Sequence, residues 1–408
     1  MIQEATIKQS TGRIHSMDAV RAIAMLLGIV LHASISYKLT PSPPWPADDS
    51  VHSIFYNYLY LFIHSFRMQL FFLVAGFFAR FLYLKIGKKA FVRHRIDRIV
   101  KPFIICLIVI APLSMLPFFY YQYALLHPGL PFFQSLIPVM HFMLKWNGMI
   151  HLWFLYFLII FYIVMLVMLW VNQYISISRL INKWCKKILV FPKASSLFFL
   201  FFPIFLMTCL FHRLPIEPYT GFKPDLPLLI YYSFFFYLGY FIHRLYVNNL
   251  SAITRFPIMY LLIGLAVTPL IGHLDLLQAT DESLRLFLGI RILFSIQTVT
   301  LVFGFLGIFI KYLNTENYTI RYISDASYWM YLVHVPLIVW AQIWLVDSVV
   351  PPFLRFWLVN IVGIFIPLIT YALFVRHTFI GKALNGPRRR RNKNKKVSSP
   401  IHQQLMKA

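Results

Sequence analysis

The sequence predicts an all-α, polytopic integral membrane protein with about ten transmembrane helices. Two observations support this fold class. Of the 408 residues, 60% are hydrophobic, and the mean hydropathy of +0.70 lies well above the usual balance of a soluble domain. Ten segments also come close to the roughly 20 mostly apolar residues that a membrane span requires.

The predicted spans follow one another along nearly the whole chain, and the fifth to the seventh are the shortest. They are residues 17–37, 55–84, 99–121, 150–172, 195–212, 226–243, 256–273, 287–310, 326–346 and 353–375. We therefore expect a short N-terminal segment (1–16), a ten-helix membrane domain (17–378) and a basic tail (379–408). The tail contains GPRRRRNKNKKVSSP, whose low hydrophobicity and dense charge predict disorder. It would bind anionic lipid or, alternatively, dock a protein.

Lys and Arg are distributed unevenly between the two sides of the predicted membrane domain. With the N-terminus in the cytoplasm, 29 of the 38 cations fall on the cytoplasmic side and six on the other, while Arg67, Arg80 and Arg291 lie within spans. Cytoplasmic loops are enriched in Lys and Arg, so both termini are predicted to be cytoplasmic. This distribution explains the formal net charge of +25 without a nucleic-acid partner.

The acidic and thiol side chains exclude several functions. Carboxylates near the spans all fall at or near predicted boundaries, and none is near the midplane, which counts against a proton-coupled pump or antiporter. They are Asp18, Asp97, Asp225, Asp275, Asp325 and Asp347. The three cysteines are scattered and form neither a disulfide framework nor a metal-binding spacing.

The first span carries two polar side chains in an otherwise apolar run, RAIAMLLGIVLH. Arg21 and His32 are eleven residues apart, which is close to three helical turns, so both fall on one face about 16 Å apart. Ionisable groups inside a bilayer are costly and usually functional. This face is therefore predicted to line a polar passage.

Two further spans place polar groups on one face. His64 and Arg67 are three residues apart in the second span, near the depth of His32. In the ninth span, Ser327, Tyr331 and His334 share a face, and His151 opens the fourth span at the outer interface. The alternative for each histidine is an interhelical hydrogen bond, and for Arg67 a backbone carbonyl partner.

The segment FVRHRIDRIVKPF, which follows the second span, concentrates cations at the predicted cytoplasmic surface. The guanidinium group of arginine binds phosphate oxygens through paired N–H donors. A phosphate-binding patch is therefore predicted at Arg93, Arg95, Arg98 and Lys101. The alternative is that the cluster only sets topology. In the second span, AGFF predicts a close packing of helices.

Six motifs, in this order, resemble the integral-membrane acyltransferase-3 family over residues 17–376. They are MDAVRAIAMLLGIVLH, HSFRMQLFFLVAGFF, RIDR, the proline of RIVKP, HLWFL and SYWMYLVHVPL. The second and the last are most similar to the branch that succinylates periplasmic glucans. The resemblance implies ten core helices, a cytoplasmic acyl-CoA donor and a carbohydrate acceptor outside the cytoplasm.

The resemblance also transfers roles to individual residues. Arg21 and His32 match the family's Arg-ten residues-His motif, Arg67 matches its second-span arginine, and Arg95 with Arg98 matches its RxxR motif. Ala75 departs from the family pattern, since this position is often serine. From the sequence we expect no appended hydrolase-like domain.

Together these observations predict an O-acyltransferase of the bacterial inner membrane, with membrane lipid, acyl-CoA and a glycan acceptor as partners. Acetyl or succinyl would pass from acetyl-CoA or succinyl-CoA to a glycan hydroxyl, without a metal or a permanently bound cofactor. His32 is the expected base and Arg67 stabilises the oxyanion, with His64 and His334 as further catalytic candidates. The donor is expected at Arg21 and at the cluster Arg93, Arg95, Arg98 and Lys101.

Several alternatives stay open at this point. The acceptor could instead be lipopolysaccharide, peptidoglycan or an exported small molecule. The protein could also be a non-catalytic transporter of an acyl or lipid-linked group. Transfer could be direct or pass through an acylated His32. Arg291 in the eighth span is either a partner for a succinyl carboxylate or a structural contact.

Overall fold

A computed structural model describes residues 15–146, 148–174, 194–245, 255–278, 283–313, 315–346 and 348–386. Within these ranges the chain is helical and has no strand, which confirms the predicted all-α class. The helices are α1 (His15–Ser34), α2 (Ile54–His64), α3 (Arg67–Arg95), α4 (Lys101–Leu126), α5 (Phe132–Met143), α6 (Trp153–Val171), α7 (Ala194–Thr208), α8 (Leu226–Leu245), α9 (Pro257–Gln278), α10 (Leu284–Tyr312), α11 (Tyr318–Leu345), α12 (Pro352–Thr370) and α13 (Phe379–Asn385).

Eight stretches of the described chain are long and apolar enough to cross a membrane. One of them, Ile54–Leu126, contains the second and third predicted spans. The fifth predicted span appears as α7, which has only 15 residues. The structure therefore agrees with a polytopic membrane protein, while the count of ten spans stays a prediction.

The second predicted span, residues 55–84, contains a helix break and consists of α2 and the first part of α3. The helix breaks between His64 and Arg67, where the N-cap residue Phe66 leaves helical geometry at φ −136°. The backbone carbonyl of Ser65 instead accepts a hydrogen bond of 2.9 Å from the Thr298 hydroxyl on α10. Because this partner comes from another helix, the freed carbonyl is satisfied without water.

Helices α3 and α8 are in direct backbone contact, as the AGFF motif predicts. A Cβ placed on Gly76 would overlap the carbonyl oxygen of Phe236, and one on Gly239 would overlap that of Leu73. Small residues allow such close approach between membrane helices. A hydrogen bond of 3.0 Å from Gln69 to the Tyr231 hydroxyl joins the same two helices.

Helix α1 lies in the middle of the bundle and contacts α2, α3, α10, α11 and α12. Its polar face is therefore enclosed by other helices. Helices α1 and α11 run in the same direction, since Ser324 donates to Asp18 near their N-terminal ends and Gln342 donates to the His32 carbonyl near their C-terminal ends.

The first residues of the predicted tail are folded. Helix α13 packs near the start of α4, where Arg98 donates to the carbonyls of Lys382 and Ala383 at 2.7 and 3.1 Å. Asn385 donates to the Asp325 carbonyl at 2.7 Å. The ordered chain thus extends past the predicted boundary at residue 378, and residues 387–408 lie outside the described ranges.

Candidate active site

A cavity of about 740 Å³ runs alongside α1. We call the two ends the basic end and the aromatic end, and the part between them the central part. The basic end includes Arg21, His94, Arg95, Arg98 and Asn385; the central part includes His32, His64, Arg67, His151 and His334; the aromatic end includes Ser42, Trp45, Trp146, Glu217 and Thr220.

Three histidines from different helices meet in the central part. The ring centroids of His32 and His334 are 5.3 Å apart, and those of His334 and His151 are 5.6 Å apart. The indole of Trp45 stacks on His32 at 5.3 Å and 9°. His32 and His334 were predicted from sequence as site residues, and the structure places both on the same cavity wall.

Backbone carbonyls fix the tautomers of two of these histidines. Nδ1 of His334 lies 3.0 and 2.9 Å from the carbonyl oxygens of Met330 and Tyr331, so this nitrogen carries the proton. Nε2 of His334 then holds the lone pair, and it is buried without a hydrogen-bond partner. In His151 the roles are reversed, because Nε2 donates to the Leu332 carbonyl at 3.1 Å and Nδ1 has no partner.

His32 differs from both neighbours because its ring has no fixed partner. Neither ring nitrogen makes a hydrogen bond to a described residue, and Nδ1 is buried. The backbone of this turn is held instead, since Gln342 donates to the carbonyls of His32 and Ala33 at 3.1 and 3.3 Å. The imidazole is therefore held in place by its helix and by Trp45, and its nitrogens are available to a substrate.

Arg67 is the first residue of α3 and lines the central part of the cavity. It forms no ion pair with a described carboxylate, and its Nε is buried without a partner. Space for the guanidinium comes from Gly28 on α1, where a Cβ would overlap Nη1 of Arg67. The positive end of the α3 dipole adds to the charge of this arginine.

His64 belongs to a row of groups that leads from the central part to the aromatic end. Its ring lies 5.0 Å from that of Tyr60, and the Tyr60 hydroxyl donates to Oε1 of Glu217 at 2.6 Å. Sequence reasoning missed Tyr60, Glu217 and Trp45. The spacing of Tyr60, His64 and Arg67 would have indicated the tyrosine; nothing in the sequence marks the other two.

Lys38 contacts Tyr60 in this row, although its own side chain does not line the cavity. Its ammonium lies 4.2 Å from the centroid of the Tyr60 ring and donates to the Ser42 hydroxyl at 3.0 Å. Burial lowers the pKa of Lys38, and the carboxylates of Glu217 and Asp275 act in the opposite direction.

The basic end contains only part of the predicted phosphate-binding patch. Arg95 and Arg98 line the cavity, together with Arg21, whereas Arg93 and Lys101 do not. Lys101 instead pairs with Asp97 at 2.6 Å on the exposed side of the helix. The cavity thus brings together two of the four predicted cations, and a phosphate-binding role for the group stays a prediction.

Each of the cavity-lining arginines at the basic end contacts a neighbouring element. Arg21 lies 3.5 Å from the Ser327 hydroxyl, as expected from the predicted polar face of α11. Arg95 donates to the Tyr162 hydroxyl at 3.3 Å, and its guanidinium lies 5.0 Å from the centre of that ring. Arg98 is held by α13, as described above.

Arg291 is a structural contact and does not line the cavity. Its guanidinium donates to the carbonyls of Phe211 and His212 at 2.6 and 2.8 Å and packs on the Phe287 ring. These contacts favour the structural alternative for Arg291 over a partner for a succinyl carboxylate. No group of metal-ligating side chains occurs among the residues that the structure describes.

The fold and the cavity define a multi-pass membrane protein with a buried polar site between two ends of opposite character. The chain belongs to the acyltransferase-3 family, whose model, described as an acyltransferase domain, matches residues 14–372. The protein is therefore an acyltransferase.

Curated relatives agree with this assignment. The chain is 26% identical to the glucans biosynthesis protein C of Escherichia coli O1:K1 over 379 residues, which cover 89% of this chain and 92% of that protein. It is 34% identical to the protein of the same name from Escherichia coli strain K12 over 153 residues, or 36% and 37% of the two chains. No solved structure matches the chain.

Proposed function

We propose that the protein transfers an acetyl or succinyl group from cytoplasmic acyl-CoA to a hydroxyl of a glycan on the other side of the inner membrane. The observation that carries the proposal is the continuous cavity, which joins a cluster of arginines to a cluster of histidines and then to an aromatic end. A donor and an acceptor that enter from opposite ends would meet at His32. The name of the curated relatives supports a glucan as acceptor.

The donor is proposed to bind at the basic end. Guanidinium groups of Arg21, Arg95 and Arg98 suit the phosphates of coenzyme A, because arginine binds phosphate oxygens through paired donors. Arg21 and His32 are about 16 Å apart along α1. This depth suits an extended pantetheine arm, whose thioester would then reach the central part of the cavity.

The chemistry follows from the groups in the central part. A neutral His32 accepts the proton of the acceptor hydroxyl as its oxygen attacks the thioester carbonyl. Arg67 stabilises the negative charge that develops on the carbonyl oxygen. The C–S bond then breaks, a sugar ester forms, and the coenzyme A thiolate takes up the proton from His32.

The proposal is tested with the purified protein in lipid nanodiscs, supplied with acetyl-CoA or succinyl-CoA and a neutral gluco-oligosaccharide. We expect release of the coenzyme A thiol that depends on the glycan, together with a glycan whose mass rises by one acyl group. Thiol release without an acylated glycan would reassign the acceptor. No release with either donor would overturn the proposed donor class.

A pair of double variants tests the donor site. Replacing Arg95 and Arg98 by alanine should raise the KM for acyl-CoA at least about tenfold, because each charge-assisted hydrogen bond contributes about 1.5–3 kcal/mol. Replacing Arg93 and Lys101 by alanine removes the same charge outside the cavity and should leave this KM unchanged. Equal effects of the two double variants would show that the cluster acts only through its overall charge.

A further inference from the structure

The aromatic end of the cavity has an unusual charge composition for so basic a protein. Of the described residues that line it, one carries a carboxylate, Glu217, and none is Lys or Arg. The formal net charge of the whole chain is nonetheless +25. Glu217 is exposed, whereas the nearby ammonium of Lys38 is only 7% exposed and does not line the cavity. An anionic molecule that approaches this end would therefore meet the carboxylate before the ammonium.

Glu217 is held in a fixed position while part of its carboxylate stays available. Oε1 accepts the hydrogen bond from Tyr60, a side chain that is only 5% exposed and that Lys38 contacts from behind. Oε2 makes no hydrogen bond or ion pair to a described residue, and the side chain is exposed. A carboxylate accepts hydrogen bonds only, so this oxygen suits a hydroxyl donor.

An aromatic surface completes this end of the cavity. Trp146 is 40% exposed, and its ring is held edge-on against Phe119 at 5.9 Å. The hydroxyl of Thr220 and the amide of Gln122 line the cavity nearby. An open indole face beside hydroxyl, amide and carboxylate groups matches a sugar ring, which presents C–H groups on its faces and hydroxyls at its edge.

We propose that the aromatic end is an acceptor subsite for an uncharged sugar ring, in which Glu217 accepts a hydrogen bond from a sugar hydroxyl and excludes phosphate- or carboxylate-bearing glycans. This inference rests on the proposed function. It names the charge class of the acceptor and the residue that selects it. The same carboxylate would fix the orientation in which the acceptor extends toward His32.

The test compares two acceptors of equal length, a neutral gluco-oligosaccharide and one that contains glucuronic acid. We expect the wild-type protein to have a KM about fivefold higher for the acidic acceptor, because two like charges at contact distance repel even when solvent screens them. Glu217→Gln keeps a hydrogen-bond acceptor and should largely remove this difference. Glu217→Ala should raise the KM for the neutral acceptor about tenfold, as expected for a lost charge-assisted hydrogen bond.

Two controls make the outcome specific. The KM for acyl-CoA should be the same in all variants, since the donor enters at the basic end. Asp49→Asn removes an equal charge from an exposed residue of the 38–53 segment, outside the cavity lining, and should preserve the preference for the neutral acceptor. An unchanged ratio of KM values in Glu217→Gln would overturn the inference, whereas absence of transfer by the wild type would instead overturn the proposed function.

Discussion

His32 and Arg67 are polar side chains that line the central part of the cavity. Buried polar groups are normally hydrogen-bonded, yet both side chains keep a buried nitrogen without a partner. Each unsatisfied group costs free energy that the fold must offset. A substrate can offset this cost by supplying the missing partner, and this is the role that we propose for a substrate bound beside His32 and Arg67.

The proposed role of His32 as base leads to a direct prediction. His32→Gln preserves much of the size and the hydrogen-bonding capacity but removes basicity, so transfer should fall by roughly 10²- to 10⁴-fold. Binding of acyl-CoA should persist, which a titration of the purified variant measures. His127→Gln, outside the cavity lining, serves as the control. Near-normal turnover of His32→Gln would move the catalytic assignment to His64 or His334.

The space that Gly28 leaves for Arg67 provides a second prediction. Gly28→Ala would displace the guanidinium, and loss of such an electrostatic donor costs on the order of 10²–10³ in kcat. Gly289→Ala is the matched control, because a Cβ there meets no atom within 4 Å. Turnover and Tm of both variants should be measured. A Gly28→Ala protein with unchanged kcat would separate Arg67 from the chemical step.

The sequence revealed the central residues because polar groups in a bilayer are few and stand out from an apolar background. His32, His64, Arg67 and His334 were all found in this way. Trp45 and Glu217 could not be found, because both lie in connecting segments. Their positions depend on tertiary contacts, such as the hydrogen bond from Tyr60 to Glu217 across 157 residues of sequence.

At the scale of elements, the 38–53 segment joins α1 to α2 and carries Trp45 to the stacking position on His32. A buried ion pair fixes this segment to the N-terminal end of α12. Nη1 of Arg355 lies 2.9 and 2.8 Å from the two carboxylate oxygens of Asp48, and the two side chains are only 6% and 2% exposed. The placement of Trp45 is thus linked to a contact distant from it in sequence.

Breaking this pair should loosen the segment. Asp48→Asn leaves the Arg355 charge buried without compensation, a change that typically costs about 3–5 kcal/mol. We expect faster hydrogen exchange across residues 38–53 and lower turnover as Trp45 leaves His32. The exposed pair of Arg321 and Glu316 is the control, since Glu316→Gln should change stability by less than about 1 kcal/mol. Unchanged exchange in Asp48→Asn would contradict this role.

The elements differ in how well the sequence predicts them. Long apolar runs predicted most helices, because length and hydropathy decide whether a segment can span. The break at Ser65 was missed because the local sequence does not reveal it. The partner of the Ser65 carbonyl is Thr298, which is 233 residues away in the sequence. Helix α5 was missed because its 12 residues are too short for a span.

At the scale of the whole molecule, the cation distribution and an even number of spans predict that both termini are cytoplasmic. A reporter enzyme that is active only in the cytoplasm should therefore be active when it is fused after Lys407. The same reporter inserted after Thr220, near the aromatic end of the cavity, should show the opposite behaviour. An inactive C-terminal fusion would overturn the proposed orientation of the cavity and its donor end.

The unpaired guanidinium of Arg67 also has a consequence for the membrane itself. A polar cavity that joins both sides of an energised membrane would dissipate the proton gradient if hydronium or metal cations could pass. A fixed arginine at the positive end of a helix dipole repels such ions, as it does in water-conducting channels. The side chain that we propose to stabilise the negative charge on the thioester carbonyl oxygen would thus also keep the membrane impermeable to protons and metal cations between turnovers.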